Sequence, residues 1–366
     1  MMRELNLKEF QESKRISSRG YAIFSKDGQF QPYDFTRHPV GEHDVLVEIL
    51  YAGICHSDIH TVRGEWGERE YPIVPGHEIA GEVIAVGKSV SKFAIGDWIG
   101  IGCMVNACQQ CPTCLDHEEQ FCDQTVWTYA SEDVFHDREY TQGGYSNNIV
   151  VHENFGIKIP KSADLSRVAP LLCAGITTYS PLYRAGIKQG DKVGIVGLGG
   201  LGHMAVQYAA SFGARVSVFA TSESKRELAM ELGAKEFINV KNQDEMQKVR
   251  KDFDVILSTV PASYEISKYL GLLKPKGEMI VVGLPSHQDP ALLDANGLIW
   301  NFSRKLYSSL IGGIKETQEM LDYSIEHGIY PMVEMIGGSE IDWAYERVLK
   351  SDVKFRFVID MKSLGV

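Results

Sequence analysis

The chain has 366 residues, of which 44% are hydrophobic, and this length predicts two globular domains rather than one core. A net charge of -11 argues against binding to nucleic acid or to an anionic membrane surface. Because no run approaches the roughly 18 apolar residues of a membrane span, we expect a cytoplasmic protein with a small-molecule partner and no membrane association.

Residues 21–155 consist of short apolar or alternating runs broken by Gly, Pro and Asp, which predicts a β-rich first region. From residue 164 the pattern changes, and LSRVAPLLCAGITTYSPLYRAGI predicts one helix. Four strands then alternate with helical segments, the rhythm of a parallel, doubly wound α/β sheet. The predicted helices of this second region are 201–212, 223–232 and 262–272. The segment after residue 314 is expected to rejoin the first region.

A glycine-rich turn stands between a predicted strand and a predicted helix. Residues 193–202, VGIVGLGGLG, place Gly197 at the tight turn, Gly199 where backbone approaches a pyrophosphate, and Gly202 where helix packs on strand. A plain βα turn is the alternative, but a second strand about 20 residues later favours dinucleotide binding. The predicted binding loop is Gly197, Leu198, Gly199, Gly200, Leu201 and Gly202.

The end of the next strand indicates which dinucleotide binds. NAD enzymes usually carry a carboxylate there, whereas this chain continues with Thr221, Ser222, Lys225 and Arg226. Hydroxyl donors and two cations suit a 2′-phosphate. The alternative is a solvated helix start in which Glu223 balances the cations. We therefore predict NADP(H) rather than NAD(H).

Four cysteines form a C-x2-C-x2-C-x7-C pattern at Cys108, Cys111, Cys114 and Cys122. Four thiolates close a tetrahedral zinc site with no open position, so this zinc is predicted to be structural. Two disulfides or chance clustering are the alternatives, and both are disfavoured in a reducing compartment. Cys103 lies outside the quartet and is interpreted as a small buried hydrophobe.

Three further segments each contain a candidate zinc ligand: GICHSDIH at 53–60, PGHEIAGEVIAVG at 75–87 and PLLCAGITTY at 170–179. Singly, Cys55, His77 and Cys173 would more often be core residues. Together with the cysteine quartet and the glycine-rich turn, these segments make the chain resemble a zinc-containing medium-chain dehydrogenase/reductase of the cinnamyl-alcohol-dehydrogenase-like branch. That resemblance implies a GroES-like catalytic domain, 1–172 with 312–366, and a Rossmann domain, 173–311.

The resemblance also implies roles for individual residues. Catalytic zinc would be held by Cys55, His77 and Cys173, with Glu78 as an alternating ligand. Asp58 resembles the carboxylate that orients the zinc histidine, although a turn-capping aspartate is the alternative. The remaining assignments are Ser57 and His60 as a proton relay, Thr177 as a nicotinamide contact, and Trp66 as an aromatic wall of the substrate pocket.

The predicted function is a zinc-dependent transfer of hydride between NADP(H) and a primary alcohol or aldehyde, with two zinc ions per chain. A polyol dehydrogenase of the same superfamily is the near alternative, against which Cys173 argues. A non-catalytic zinc-stabilised binding protein is the more distant alternative. The resemblance implies a homodimer or homotetramer, and the strand in GEMIVVGLP is predicted to lie at the pairing edge of the Rossmann sheet.

Overall fold

The computed structural model describes residues 14–364, which form two compact units. Unit 1 contains the described residues up to Cys173, Gly313–Asp322 and the described residues from Met332 onward. Unit 2 contains Ala174–Gly312 and Tyr323–Pro331. Between residues 14 and 364, no helix combines the length and the apolar character needed to cross a bilayer.

Unit 1 is built on a seven-stranded sheet that is antiparallel except at one edge pair. Its central strand, Asp44–Gly53, is mostly buried and pairs with both N-terminal and C-terminal segments of the chain. The C-terminal strand Arg356–Asp360 is thereby part of the same sheet as the central strand. The strands of this sheet are Asp44–Gly53, Ile79–Val86, Trp98–Ile101, Asn148–His152, Ile157–Ile159, Val333–Ile336 and Arg356–Asp360.

Shorter elements complete unit 1. Three two-stranded sheets pair Ile16–Ala22 with Gln31–Arg37, Met104–Asn106 with Val126–Trp127, and Glu132–Asp133 with Glu139–Tyr140. Its α-helices are His56–Val62, Pro112–Leu115, Leu165–Val168 and Ile341–Leu349. Its 3-10 turns are Glu119–Phe121, Glu153–Phe155, Ala169–Leu172, Gly338–Glu340 and Met361–Leu364. The helix Ile314–Glu326 begins in unit 1 and ends in unit 2.

Unit 2 is a six-stranded, wholly parallel sheet. Counted in chain order its strands lie 3-2-1-4-5-6, the order of a Rossmann fold. In spatial order they are Glu236–Asn239, Arg215–Ala220, Lys192–Val196, Phe253–Ser258, Leu273–Val281 and Lys305–Ser308. The helices of unit 2 are Ala174–Arg184, Gly202–Ser211, Arg226–Glu231, Gln243–Lys248, Ser267–Leu270 and Ala295–Trp300, with a 3-10 turn at Glu223–Lys225.

The helix predicted at 262–272 is wrong over most of its length, because only Ser267–Leu270 is helical. Residues before it instead pair with the segment around Leu292. Leu292 N–H donates to the Tyr264 carbonyl, and Ile266 N–H donates to the Leu292 carbonyl, both over 2.8 Å. A local helical pattern thus yields to backbone pairing with a distant segment.

The single helix predicted from residue 165 is broken at Cys173. A 3-10 turn, Ala169–Leu172, ends there, and Cys173 has φ -125° and ψ -66°, outside the α-helical range. The helix restarts at Ala174–Arg184. Because of this break, the periodicity of the helix does not set the direction of the Cys173 thiol.

The predicted edge strand is also wrong. The strand Leu273–Val281, which contains most of GEMIVVGLP, pairs on both sides, with Phe253–Ser258 and with Lys305–Ser308. The edge on this side of the sheet is therefore Lys305–Ser308, a short strand that the sequence patterns did not reveal.

Candidate active site

Four buried side chains converge in unit 1: Cys55, His77, Glu78 and Cys173, whose candidate ligand atoms all lie within 4.8 Å of one another. The sulfurs of Cys55 and Cys173 are 3.8 Å apart, and Nε2 of His77 is 3.2 Å from the Cys173 sulfur. Two thiolates bound to zinc at 2.3 Å with tetrahedral angles would also be about 3.8 Å apart. Spacing and donor type therefore fit a zinc ion.

Each ligand is placed where a regular element begins. Cys55 immediately precedes the helix His56–Val62, and His77 and Glu78 immediately precede the strand Ile79–Val86. Cys173 occupies the break between a 3-10 turn and a helix. At such junctions the direction of a side chain is not fixed by the repeat of a helix or a strand. Three separate segments can therefore direct their side chains to one point.

Asp58 combines the two roles that were weighed as alternatives. Its Oδ2 accepts the Cys55 N–H over 2.8 Å, which caps the helix His56–Val62. Its Oδ1 lies 3.0 Å from Nδ1 of His77. With the Nδ1 proton held by this carboxylate, the lone pair of Nε2 faces the Cys173 sulfur and is the one that a metal would bind.

Glu78 is fully buried and neither of its carboxylate oxygens accepts a hydrogen bond within the described residues. Its Oε1 lies 3.3 Å from Nη1 of Arg356, which is itself only 5% exposed. Sequence reasoning missed Arg356; the available signal was a charged residue that opens the strand Arg356–Asp360 directly before three apolar residues. A buried carboxylate without hydrogen bonds is costly unless it has a cationic partner, as a metal would provide.

The buried groups of this cluster shift one another's pKa values. A hydrogen bond from Cys173 lowers the pKa of Cys55 well below the usual thiol range, and the nearby Arg356 acts in the same direction against the effect of burial. Burial raises the pKa of Glu78 well above that of an ordinary carboxyl, with Arg356 offsetting only part of this effect. A Cys55 thiolate is the form that zinc requires.

The predicted relay residues lie on the helix His56–Val62. The Ser57 hydroxyl is 3.6 Å from the Cys55 sulfur. His60 is only 5% exposed, and its Nδ1 lies 2.5 Å from Oε2 of Glu65. The ring of Trp66 stacks on His60 at 4.9 Å. Glu65 was missed by sequence reasoning, although an acid five residues after a relay histidine was a usable signal.

Cys103 is not the inert hydrophobe that the sequence suggested. It is half-buried, and a hydrogen bond with Cys173 lowers the pKa of its thiol. The thiol therefore lies beside a candidate zinc ligand while remaining outside both four-residue groups.

The predicted structural site is also assembled in unit 1. Cys108, Cys111, Cys114 and Cys122 place their sulfurs within 4.8 Å of one another. Cys108 is 3.9 Å from Cys114 and 3.5 Å from Cys122, again close to the edge length of a tetrahedral zinc–thiolate site. A hydrogen bond with Thr113 lowers the pKa of Cys111 to about 6. The four thiols fit a closed zinc site.

In unit 2 the glycine-rich turn follows the strand Lys192–Val196 at the point where strand order reverses. Gly197 has φ +92°, which favours glycine, and a Cβ on Gly202 would lie 2.1 Å from the Gly197 carbonyl oxygen. A Cβ on Gly199 would meet nothing within 4 Å, so that face of the turn is open. The helix Gly202–Ser211 begins directly afterwards and directs its N-terminus to the turn.

The two predicted cations of the 2′-phosphate site differ in their contacts. Arg226 pairs with Glu223 and packs 4.8 Å from the Phe237 ring. Lys225 instead reaches back to the glycine-rich turn, where Nζ donates to the Leu198 carbonyl over 2.9 Å. Burial lowers the pKa of Lys225. Lys225 is therefore the better placed cation for a phosphate near the turn.

The other predicted cofactor contacts of unit 2 lie in different environments. Thr221 and Ser222 are exposed after the strand Arg215–Ala220, and the Ser222 hydroxyl bonds to that of Ser224 at 2.7 Å. Thr177 is buried on the helix Ala174–Arg184. The exposed hydroxyls are accessible to a phosphate group.

A third group, His38, Asp133 and His136, also brings possible ligand atoms together. The two imidazoles are stacked, 3.6 Å apart and within 8° of parallel. In-plane lone pairs of stacked rings do not converge on one ion. His136 instead bridges two buried carboxylates, with Nδ1 2.8 Å from Asp133 and Nε2 3.5 Å from Asp44. This geometry suits a proton rather than a metal.

We expect the His136 bridge to stabilise the protein below neutral pH. Burial opposes the charge, but Asp133 and Asp44 raise the pKa of His136 to about 9. Because the folded pKa exceeds the unfolded value of about 6.5, this stabilisation is fully present below pH 6.5 and is lost towards pH 9. His136→Gln should lower Tm at pH 6 and change it little at pH 9.5. His287→Gln, at an exposed histidine, is the control; equal losses at both pH values would contradict the charge effect.

The chain matches known protein families, curated relatives and solved structures. The family described as alcohol dehydrogenase GroES-like domain matches residues 41–161, and zinc-binding dehydrogenase matches residues 200–326. Aldehyde reductase YahK of Escherichia coli is 49% identical, over 94% of this chain and 99% of that protein. Mannitol dehydrogenase of Apium graveolens is 46% identical, with 94% of each covered. The crystal structure of CAD from Helicobacter pylori complexed with NADP(H) has a TM-score of 0.92 and 53% identity, over 95% of this chain and 99% of that one.

Proposed function

Because the chain belongs to the zinc-containing medium-chain dehydrogenase/reductase family, in its cinnamyl-alcohol-dehydrogenase-like branch, we propose that it transfers hydride between NADP(H) and a primary alcohol or aldehyde. Medium-sized or aromatic compounds, accepted with broad specificity, are the proposed substrates. The observation that carries the proposal is the buried group of Cys55, His77, Glu78 and Cys173, whose spacing fits zinc. Catalysis is assigned to unit 1, which includes Cys173, and cofactor binding to unit 2.

When bound, zinc supplies a Lewis acid at the substrate oxygen, and the nicotinamide supplies or accepts the hydride. Cys55, His77 and Cys173 would hold the metal, and Glu78 would be the reserve ligand. Asp58 keeps the Nδ1 proton on His77 so that Nε2 faces the metal side. Arg356 balances the negative charge of Glu78 and keeps this carboxylate buried. Thr177 is assigned to the nicotinamide.

Ser57 and His60 are assigned to proton transfer. Ser57 lies beside Cys55, so its hydroxyl can exchange a proton with the substrate oxygen, and the buried His60 is assigned as the base of the relay. Glu65 fixes the His60 ring through Nδ1, which leaves the buried Nε2, without a hydrogen-bond partner in residues 14–364, as the exchanging nitrogen. Trp66 covers the same histidine and is assigned to the substrate pocket wall.

The test of this function is the initial rate of NADPH or NADH oxidation with cinnamaldehyde and benzaldehyde. We expect a KM for NADPH at least about 10-fold below that for NADH, since one charge-assisted phosphate contact contributes roughly 1.5–3 kcal/mol. Lys225→Ala should raise the KM for NADPH by about 10-fold and leave the KM for NADH unchanged. Lys248→Ala, which removes an exposed lysine of the same unit, is the matched control.

Each contrary outcome contradicts a different part of the proposal. A preference for NADH would refute the cofactor assignment of Thr221, Ser222, Lys225 and Arg226. Consumption of neither cofactor across a broad aldehyde panel would refute the substrate class. Mannitol dehydrogenase among the relatives makes polyol oxidation the second candidate, and turnover of mannitol with NADP that exceeds turnover of cinnamyl alcohol would favour it.

We propose further that the protein is a cytoplasmic homodimer or homotetramer. In unit 2 the strand Lys305–Ser308 pairs on one side only among residues 14–364, and large apolar side chains nearby in the chain are exposed, with Ile299 70%, Trp300 80% and Phe302 72% exposed. Such edges and patches are usually covered in solution. A reducing compartment would keep the zinc-binding thiols reduced. Light scattering at micromolar concentration measures the oligomeric state directly.

A further inference from the structure

Two buried tyrosines extend the hydrogen-bond chain that begins at the candidate zinc histidine. Tyr145 donates its hydroxyl proton to Oδ2 of Asp58 over 3.1 Å, and Tyr345 donates to the Tyr145 oxygen over 3.4 Å. Oδ1 of the same carboxylate lies 3.0 Å from Nδ1 of His77. The chain therefore runs from Tyr345 on the helix Ile341–Leu349, through Tyr145 and Asp58, to His77.

Asp58 is fully buried and depends on these donors. Its two oxygens accept from Nδ1 of His77, the Gly76 N–H, the Cys55 N–H and the Tyr145 hydroxyl. A buried carboxylate is tolerated when its lone pairs are filled, and each lost donor changes both its orientation and its strength as an acceptor. The Tyr145 hydroxyl donates to Oδ2, and the buried Tyr129 hydroxyl also hydrogen-bonds to this carboxylate.

Packing fixes the direction of the Tyr145 hydroxyl. The residue is fully buried, and its backbone is held by hydrogen bonds with Pro75 and Tyr21, each 2.9 Å long. Its ring lies against Gly76, where a Cβ would come within 2.6 Å of Cδ1. Burial raises the pKa of Tyr145 well above 10, so the hydroxyl keeps its proton and remains a donor.

We propose that Tyr145 is a positioning residue for the metal-binding histidine. Its hydroxyl holds Asp58 in the orientation that accepts the Nδ1 proton of His77, and Tyr345 in turn holds the Tyr145 hydroxyl. This inference rests on the proposed catalytic zinc site. The helix Ile341–Leu349 thereby supports the zinc site through the hydroxyls of Tyr345 and Tyr145. Among the described residues, this helix contributes none of the candidate zinc ligands.

The test compares Tyr145→Phe with Tyr208→Phe. Both changes remove one phenolic oxygen from a fully buried ring, but the Tyr208 hydroxyl bonds to Ser324 in unit 2. The readout is the release of zinc from purified protein to excess dipicolinate, with the catalytic ion assigned as the zinc that Cys55→Ser lacks. Tyr145→Phe should release this ion about 3- to 10-fold faster, less than the 10- to 100-fold typical for a direct partner of a ligand. Tyr345→Phe should change release in the same direction by a smaller factor.

A double-mutant cycle separates positioning from packing. In an Asp58→Asn background, Tyr145→Phe should no longer accelerate zinc release, because the acceptor through which it acts is altered. The apparent pKa of kcat/KM for alcohol oxidation should rise by about 0.3–0.5 in Tyr145→Phe, since Asp58 becomes a stronger acceptor for His77. The Tyr208→Phe variant should keep the wild-type profile.

Three outcomes would overturn the inference. Wild-type release rates in both Tyr145→Phe and Tyr345→Phe, with a Tm loss equal to that of Tyr208→Phe, would mean that the hydroxyls serve stability alone. Equal acceleration by Tyr145→Phe with and without Asp58→Asn would mean that Tyr145 acts by another route. If wild type and Cys55→Ser contained the same zinc, the proposed catalytic site itself would fail, and the positioning role with it.

Discussion

Replacing Cys55 with serine is expected to reduce zinc from two ions to one per chain and to lower kcat/KM by at least about 1,000-fold, or roughly 4 kcal/mol of transition-state stabilisation. A serine hydroxyl stays protonated near neutral pH and is a poor zinc ligand, whereas the pKa of the Cys55 thiol is already low. Metal analysis by mass spectrometry, together with aldehyde-dependent oxidation of NADPH, measures both effects.

Cys103→Ser is the matched control for this change. It removes another thiol beside Cys173. This thiol belongs neither to the cysteine quartet nor to the group that contains Cys55 and His77. Both zinc ions and most of the activity should remain. If Cys55→Ser kept two zinc ions and full turnover, the assignment of Cys55 as a zinc ligand would be wrong. Circular dichroism should show that both variants retain the wild-type fold.

The parts of the molecule that the sequence predicts well are those specified by short, chemically constrained motifs. Gly197 and Gly202 stand in a strand–turn–helix context where positive φ and close packing leave few alternatives. Alternating strands and helices likewise predict the parallel, doubly wound sheet of unit 2. The cysteine quartet is similarly local, since its four thiols lie within one loop and no distant segment is needed to bring them together.

What the sequence does not predict depends on contacts between distant segments. Arg356 reaches Glu78 only because the strand Arg356–Asp360 pairs with the central strand Asp44–Gly53. The helix predicted at 262–272 does not form over most of its length, because residues 264–266 pair with the segment around Leu292. Tyr345 contributes to the Asp58 chain from a helix near the C-terminus. Local patterns carry no information about such pairings, so these residues appear only when the chain is folded.

The second large effect is expected at the cysteine quartet, where Cys114→Ser should also remove one zinc ion but should cost stability rather than chemistry. The loop makes hydrogen bonds to other parts of unit 1. Glu119 accepts the Ile314 N–H over 3.0 Å, and Gln109 bonds to Asn154 at 2.6 Å. Without its zinc, the loop has only a four-residue helix and a 3-10 turn to order it.

We expect Cys114→Ser to lower the free energy of unfolding by about 3–5 kcal/mol, the range of other losses of a structural metal or cross-link. Limited proteolysis should cut between Cys103 and Cys122 in the variant and spare this loop in wild type. At 25 °C the surviving folded protein should keep kcat within about 3-fold of wild type, because a closed four-thiolate site has no open position for substrate. Cys55→Ser should show the opposite pattern, with Tm nearly retained and turnover lost. Loss of turnover without loss of stability in Cys114→Ser would place the chemistry at the quartet and exchange the roles of the two sites.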